Sequence, residues 1–121
     1  MESTQPASSP ARVTHVQGFP VVEVIGRVDH VAAPLIDAQT ASIFAGRCER
    51  VLLDFSAVTY ISSAGLRSVL KIVKLAAANG GRVGIFSIPP RIAEIIEISG
   101  FQTLVDIYPD RETALKECAV S

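Results

Sequence analysis

Several features that mark specialised classes of protein are missing from this chain of 121 residues. There is no Trp, aromatic residues make up only 6%, and 11 Lys and Arg balance 12 Asp and Glu to leave a net charge of -1. The few aromatics and the lack of a basic excess argue against a protein that binds nucleic acid through phosphate contacts or base stacking. No apolar run approaches the roughly 18 residues that a membrane-spanning helix needs.

Cysteine and histidine are also scarce. The two cysteines, Cys48 and Cys118, lie far apart, and neither they nor His15 and His30 stand at metal-ligand spacing. The N-terminus has no basic segment followed by an apolar one, so no secretory signal is expected. We therefore expect a cytoplasmic protein with reduced thiols and no metal.

The apolar content of 49% is enough to build one globular domain. Residues 1–10 are rich in Ser, Pro and Ala and are expected to be a flexible leader, which leaves 11–121 as the domain. Two apolar segments separated by a Gly-Phe-Pro turn predict an opening β-hairpin that ends at Gly26. Further strands are predicted at 50–55, 82–87 and 104–108, and 56–61 is predicted to be a loop.

Helical periodicity fills the segments between these strands and the segment after the last one. Because strands and helices alternate after the hairpin, we predict an α/β domain with a small, largely parallel mixed sheet and crossover helices packed against it. The predicted starts and stops of the helices are Pro34 and Gly46, Ser63 and Asn79, Pro90 and Gly100, and Asp110 for the last.

The stretch from Asp54 to Arg67 is the most informative for function. It places Ser62 and Ser63 at the start of the second predicted helix. A helix start exposes unpaired N–H groups and the positive end of the helix dipole, and both stabilise a phosphate. Each serine is therefore a candidate phosphoacceptor, and each is also a candidate for an ordinary N-cap.

This stretch, together with other motifs in register with it, resembles the STAS domains of bacterial anti-sigma factor antagonists. The resemblance spans roughly residues 11–118, which is nearly the whole chain. The motifs that carry it are Gly26-x-x-Asp29, Asp54-x-Ser56-x-Val58-x-Tyr60-Ile61-Ser62-Ser63-x-Gly65-Leu66, Ala78-Asn79-Gly80-Gly81, Ser87-x-Pro89 and Ile98-Ser99-Gly100-Phe101.

The resemblance implies a single STAS-type domain that is not an enzyme and that switches partners. In that family the unphosphorylated domain binds a serine kinase of the histidine-kinase ATPase fold, which also acts as an anti-sigma factor. The kinase phosphorylates one serine of the domain, the complex dissociates, and a PP2C-type phosphatase resets the cycle. The family's phosphoserine falls on Ser63, with Ser62 as the second choice. The family's loop aspartate falls on Asp29, which is expected to lie near Ser63.

Two positions depart from the family pattern. Ser62 stands where many members have an acidic residue beside the phosphoserine, and Arg27 stands where others have an acid. The second change puts a base close to Asp29 and could alter which kinase is recognised. We predict no cofactor, no nucleic-acid partner and no membrane insertion, and we expect a monomer when the chain is alone.

The residues expected to contact the partner lie around the phosphoacceptor, with one exception on the third helix. Arg67, Lys71 and Lys74 form a basic stripe on the second helix, which is either a solvated face or a contact for an acidic partner. Ile98 points away from the apolar side of the third helix and is either a lone exposed residue or a contact. The predicted partner-binding residues are Asp29, His30, Ser62, Ala64, Gly65, Arg67, Lys71 and Ile98.

Two other functions stay open on the sequence. Ser63 could be the nucleophile of an enzyme, although the G-x-S-x-G elbow is absent and the chain has only two histidines. The chain could also be a STAS subunit that is never phosphorylated, acting as a scaffold in a stress complex or as an accessory to a transporter. The Ser62-Ser63 pair favours the phosphorylated protein, because a structural role needs only one capping hydroxyl.

Overall fold

The computed structural model describes residues 10–45 and 50–120. These residues contain five strands and four helices. Short 3-10 turns extend the first helix at Ser42–Ala45 and follow the third at Phe101–Thr103. The predicted leader (apart from Pro10), the predicted helix stop at Gly46 and Cys48 lie outside the described residues. The elements are β1 (Ala11–Val16), β2 (Phe19–Val28), α1 (Ala32–Ala41), β3 (Arg50–Ile61), α2 (Ser63–Ala78), β4 (Arg82–Phe86), α3 (Pro90–Ser99), β5 (Asp106–Tyr108) and α4 (Arg111–Val120).

The strands form one mixed sheet in the order β1-β2-β3-β4-β5. β1 and β2 are an antiparallel hairpin, whereas β2 with β3, β3 with β4 and β4 with β5 are parallel pairs. The predicted fold class, hairpin and largely parallel sheet are confirmed. Parallel neighbours end at the same edge of the sheet, so the loops that follow β2 and β3 are brought side by side.

Helices cover both faces of the sheet. Neighbouring residues of a strand point to opposite faces, so adjacent side chains of β3 contact different helices. Leu53 packs in a large apolar cluster with buried residues of α1, α2 and α3. Leu52 packs in a smaller cluster with Ala114 and Cys118 of α4. Both leucines are fully buried, and the Cys118 side chain is buried as well. Within the described residues, no helix combines the length and apolarity needed to cross a bilayer.

β3 is longer than predicted, and the prediction of a loop at 56–61 was wrong. The strand continues to Ile61 by pairing with the second half of β2, although the register shifts twice along the way. At the first irregularity the Asp54 carboxylate accepts the Ser56 N–H at 2.9 Å. Such bulges interrupt the inward and outward alternation by which a strand is recognised in a sequence.

Other predicted boundaries also change. The predicted Gly-Phe-Pro turn is shorter, because Phe19 and Pro20 already pair within the hairpin. β2 continues past Gly26 to Val28, because Gly26 takes a left-handed φ of 78° at an irregularity after which the pairing resumes. α1 begins at Ala32 rather than Pro34, since a carboxylate in the preceding loop caps the earlier N–H groups. β5 begins at Asp106 rather than 104, because a 3-10 turn uses residues before it. The predicted starts of α2 and α3 are confirmed.

Candidate functional site

The end of β2 and the start of α2 meet at one backbone carbonyl. The Val28 carbonyl accepts the Ser62 N–H at 2.9 Å and the Ser62 hydroxyl at 3.3 Å. Gly65 is buried and lies directly against the same oxygen, since a Cβ added to Gly65 would clash with it. The first turn of α2 therefore rests directly on the end of β2, and only glycine permits so close an approach.

The two neighbouring serines are used differently. Ser62 is the N-cap of α2, and its Oγ accepts the Gly65 N–H at 3.2 Å while donating to Val28. Ser63 is the first helical residue, its side chain is exposed, and its hydroxyl makes no hydrogen bond within residues 10–45 and 50–120. The cap thus belongs to Ser62, and Ser63 carries the accessible hydroxyl. Which serine is modified stays a prediction.

Asp29 lies in the loop between β2 and α1, next to the carbonyl that receives α2. Its Oδ1 accepts the N–H groups of Val31 and Ala32, each at 3.1 Å, and its Oδ2 is 3.6 Å from Nε of Arg27. The Ala32 N–H is the largest influence on Asp29, and with the Val31 N–H and the Arg27 charge it lowers the pKa of this carboxyl. A carboxylate is therefore held beside the junction of β2 and α2.

The predicted basic stripe of α2 is not uniform. Lys71 forms an ion pair with Asp37 of α1, with 2.9 Å between Nζ and Oδ2. Arg67 and Lys74 are exposed, and neither has an ion-pair partner in the described part of the chain. Lys71 thus ties α1 to α2, and Arg67, one helical turn beyond Ser63, offers a freer positive charge to a partner.

The structure gathers most of the predicted partner-binding residues at one edge of the sheet, but not all of them. Lys71 lies two turns further along α2 than Ser63. Ile98 is 86% exposed near the end of α3. Crossover helices run back against the direction of parallel strands, so the end of α3 lies towards the opposite edge. The residues at the junction are Asp29, His30, Ser62, Ala64, Gly65 and Arg67.

Sequence reasoning missed two features beside this junction. Tyr60, in the stretch predicted as a loop, is 40% exposed and stacks with Arg27, whose guanidinium carbon is 4.3 Å from the ring centroid. Val31 and Leu35 at the start of α1 are 65% and 52% exposed. Leu35 belongs to the apolar pattern that predicts the first helix, and the structure shows that it is exposed rather than buried. Together the two residues form an exposed apolar area beside the junction.

Comparison with known proteins identifies the class of this domain. The chain belongs to the STAS domain family, whose model matches residues 10–114. The protein BtrV of Bordetella bronchiseptica, which is assigned to the anti-sigma factor antagonists, is 32% identical over 99 residues that cover 82% of this chain and 85% of BtrV. The family resemblance seen in the sequence motifs is therefore confirmed.

Solved structures agree with that assignment. The crystal structure of an anti-sigma factor antagonist from Mycobacterium paratuberculosis matches with a TM-score of 0.80 at 25% identity, covering 88% of this chain and 91% of that one. The anti-sigma factor antagonist SpoIIAA in its unphosphorylated form matches with a TM-score of 0.78 at 21% identity, covering 92% and 97%. Bacillus SpoIIAA in its phosphorylated form matches with a TM-score of 0.70 at 21% identity, covering 89% and 98%. At 21% identity, the likeness to SpoIIAA shows the shared fold.

Proposed function

We propose that this chain is a cytoplasmic partner-switching regulator of the anti-sigma factor antagonist type and not an enzyme. In its unmodified form it binds a serine kinase of the histidine-kinase ATPase fold that also acts as an anti-sigma factor. Phosphorylation of Ser63 releases that kinase, and a PP2C-type phosphatase restores the binding form. The assignment of the relative BtrV to the anti-sigma factor antagonists supports this proposal.

The observation that carries the proposal is the difference in hydrogen bonding and exposure between the two serine hydroxyls. The Ser62 hydroxyl accepts the Gly65 N–H and donates to Val28, so its phosphorylation would remove the donated hydrogen bond and add a bulky group to the cap at a partly buried position. The Ser63 hydroxyl is exposed and unbonded in the described part of the chain. A kinase can therefore reach Ser63 without disturbing the start of α2.

The switch follows from electrostatics at the same place. Phosphate on Ser63 adds a charge of about -1.5 to -2 at neutral pH. That charge would arise at the start of α2, which rests on the Val28 carbonyl next to Asp29, and a partner surface closing over the serine and the carboxylate would meet like-charge repulsion and a desolvation cost. Each 1.4 kcal/mol lost in this way weakens binding about tenfold, so no refolding of the domain is required.

In the part of the chain that the structure describes, the surroundings of Ser63 differ from those of a catalytic nucleophile. A serine nucleophile needs a base within hydrogen-bond reach. Among the described residues, no imidazole or carboxylate hydrogen-bonds to the Ser63 hydroxyl. This environment supports a phosphoacceptor that is modified by another protein.

A phosphorylation assay tests the proposal. The purified chain is incubated with ATP and, in turn, with each small serine kinase of the histidine-kinase ATPase fold from its own genome, and the added phosphate is mapped by mass spectrometry. We expect phosphate on Ser63 that is lost in Ser63→Ala, kept in Ser62→Ala, and removed by a PP2C-type phosphatase. Tight binding to another protein with no phosphate transfer from any kinase would instead favour a STAS scaffold or transporter accessory.

A binding measurement with a matched pair of variants tests the switch itself. Ser63→Asp adds a negative charge, and Ser63→Asn adds nearly the same atoms without the charge. We expect the aspartate variant to bind the kinase at least about tenfold more weakly than the asparagine variant, which corresponds to about 1.4 kcal/mol. Equal affinities for the two variants would contradict an electrostatic switch at this position.

A further inference from the structure

Arg27 carries an exposed positive charge at the edge of the candidate site. Its side chain is 65% exposed, and its side-chain contacts with the described residues are the face of Tyr60 and the Oδ2 atom of Asp29 at 3.6 Å. Exposed contacts of this kind are weak, because water screens the charges and the long side chain keeps its freedom. The guanidinium can therefore change partners at little cost.

Arg27 also lies at the end of β2, one residue before the carbonyl on which α2 begins. Arg27 pairs in register with Tyr60, three residues before Ser63, and the next residue, Val28, provides the carbonyl that binds Ser62. Val28 and Ile61, the residues after Arg27 and Tyr60, are buried in the cluster under α2, so the side chains of Arg27 and Tyr60 project from the other face of the sheet. The Arg27 guanidinium still reaches the end of the sheet, because it lies beside Asp29, whose Oδ1 accepts N–H groups at the start of α1.

We propose that Arg27 is the internal counter-ion of phosphate on Ser63, and that its guanidinium exchanges Asp29 for the phosphoryl group when the serine is modified. This inference rests on the proposed function, since it requires a phosphorylated Ser63. A phosphate carries more charge than a carboxylate and presents oxygens that match the fork of a guanidinium. Asp29 competes poorly, because its other oxygen already accepts two N–H groups at the start of α1.

The exchange has a consequence for the switch. Arg27 would neutralise part of the phosphate charge within the chain. The repulsion between the phosphorylated site and the partner surface would therefore be smaller than without Arg27. Arg27 occupies a position at which other family members carry an acid, and an acid there would add to the repulsion. The identity of this one residue thus tunes how completely phosphorylation separates the partners.

The test is a titration of the phosphate by ³¹P NMR in protein with phosphoserine incorporated at position 63 during translation. Three forms are compared: the parent chain, Arg27→Gln and Arg67→Gln. Arg67 is the rival counter-ion, because it lies four residues along α2 from Ser63. All forms also carry His30→Asn, since an imidazole changes charge in the same pH range as a phosphate.

We expect Arg27→Gln to raise the second pKa of the phosphate by at least about 0.5, and Arg67→Gln to raise it by less. An unchanged phosphate pKa in Arg27→Gln overturns the proposal, whatever Arg67→Gln does. Thermal unfolding of each form shows that the exposed substitutions leave the fold intact. Because the phosphoserine is installed without a kinase, failure of the kinase assay and failure of this titration are separate results.

Discussion

The two adjacent serines at the start of α2 show how the geometry of a helix end assigns roles to identical side chains. Ser62 has the extended backbone of an N-cap, which turns its Oγ towards the Gly65 N–H. Ser63 is already helical, so its side chain points outward instead. The sequence could place a serine pair at a helix start, but only the contact with Val28 distinguishes the capping residue from the accessible one.

A stability measurement should separate the serines as well. Ser62→Ala removes the cap and the hydroxyl that donates to Val28, so we expect it to lower the free energy of unfolding by about 1 kcal/mol, within a range of about 0.5–2. Ser63→Ala should change it by less than about 0.5 kcal/mol, as is usual for an exposed side chain. Urea unfolding of both variants gives the comparison. A larger loss in Ser63→Ala would mean that the roles are reversed.

Gly65 should be the most sensitive position at this junction. In Gly65→Ala the new methyl group meets the Val28 carbonyl, so α2 must move away from β2, at a cost of about 1–3 kcal/mol or more. The control is Ala64→Gly, which makes the reverse exchange of alanine and glycine one residue earlier in the same helical turn. It should lower the free energy of unfolding by no more than about 1 kcal/mol. Urea unfolding compares the two variants. Equal losses would show that the close approach of α2 to β2 is not required.

Among the elements, the parallel strands were easier to predict than their ends. The segments 50–55 and 82–87 are short apolar runs, and such runs identify buried strands without reference to any neighbour. The continuation of β3 through 56–61 depends instead on pairing with β2, whose two register shifts break the local pattern. The candidate site is built on this irregular part of the sheet, where local signals were weakest.

The edge strand β5 is joined to the sheet by an ion pair that should make stability depend on pH. Arg82 donates two hydrogen bonds to the Asp106 carboxylate, both at 2.9 Å, and Arg50 lies 3.6 Å away. The hydrogen bonds from Arg82 are the largest influence on Asp106 and, with the charges of both arginines, they lower the pKa of this carboxyl. The side-chain pKa of an aspartate in an unfolded chain is about 3.9.

Because the folded pKa of Asp106 is the lower one, its stabilisation is complete above about pH 5 and is lost as the pH falls through the folded pKa. We expect Asp106→Asn to lower the free energy of unfolding by about 1 kcal/mol or less at neutral pH, as for other exposed pairs. The difference from the parent chain should shrink as the pH falls below about 4. Urea unfolding at several pH values measures it, with the exposed Glu94→Gln as the control. A difference that stays constant down to low pH would exclude the ion pair as its cause.

In the whole molecule, one sheet separates two apolar layers of unequal size. The layer under α1, α2 and α3 is continuous with the elements that carry the candidate site. The layer under α4 is smaller and holds Leu52 and Phe86 with the buried face of that helix. The candidate site and the C-terminal helix are therefore associated with different layers. If the proposed function holds, changes to the smaller layer should affect stability more than partner binding.

Leu52 and Leu53 offer a matched test of these layers, because they are adjacent, both fully buried, and face opposite sides. Each alanine substitution should lower the free energy of unfolding by about 2–5 kcal/mol, through lost burial and the cavity that remains. At a temperature where both variants are folded, Leu52→Ala should bind the kinase as the parent does, and Leu53→Ala should bind it more weakly. Urea unfolding and calorimetric binding measure the two effects. Weaker binding by Leu52→Ala alone would contradict this separation of layers.

Local chemistry in the chain was sufficient to predict the class of fold and the helix start on which the candidate site is proposed. Pro90 and Gly100 set the ends of α3, Asp110 caps α4 by accepting the Thr113 N–H at 2.8 Å, and the serine motif marks the start of α2. Each of these signals acts within a few residues, which is why it can be found in one sequence.

Contacts between distant parts of the chain decided the rest. The Ser62 hydroxyl donates to the Val28 carbonyl, which lies 34 residues earlier in the chain, and this contact distinguishes Ser62 from Ser63. Lys71 pairs with Asp37, also 34 residues earlier, so its charge is already engaged within the chain. The packing of α4 on the second face depends in the same way on strands far from it in sequence. Such pairings depend on strand register and helix docking, and these emerge only when the elements pack together.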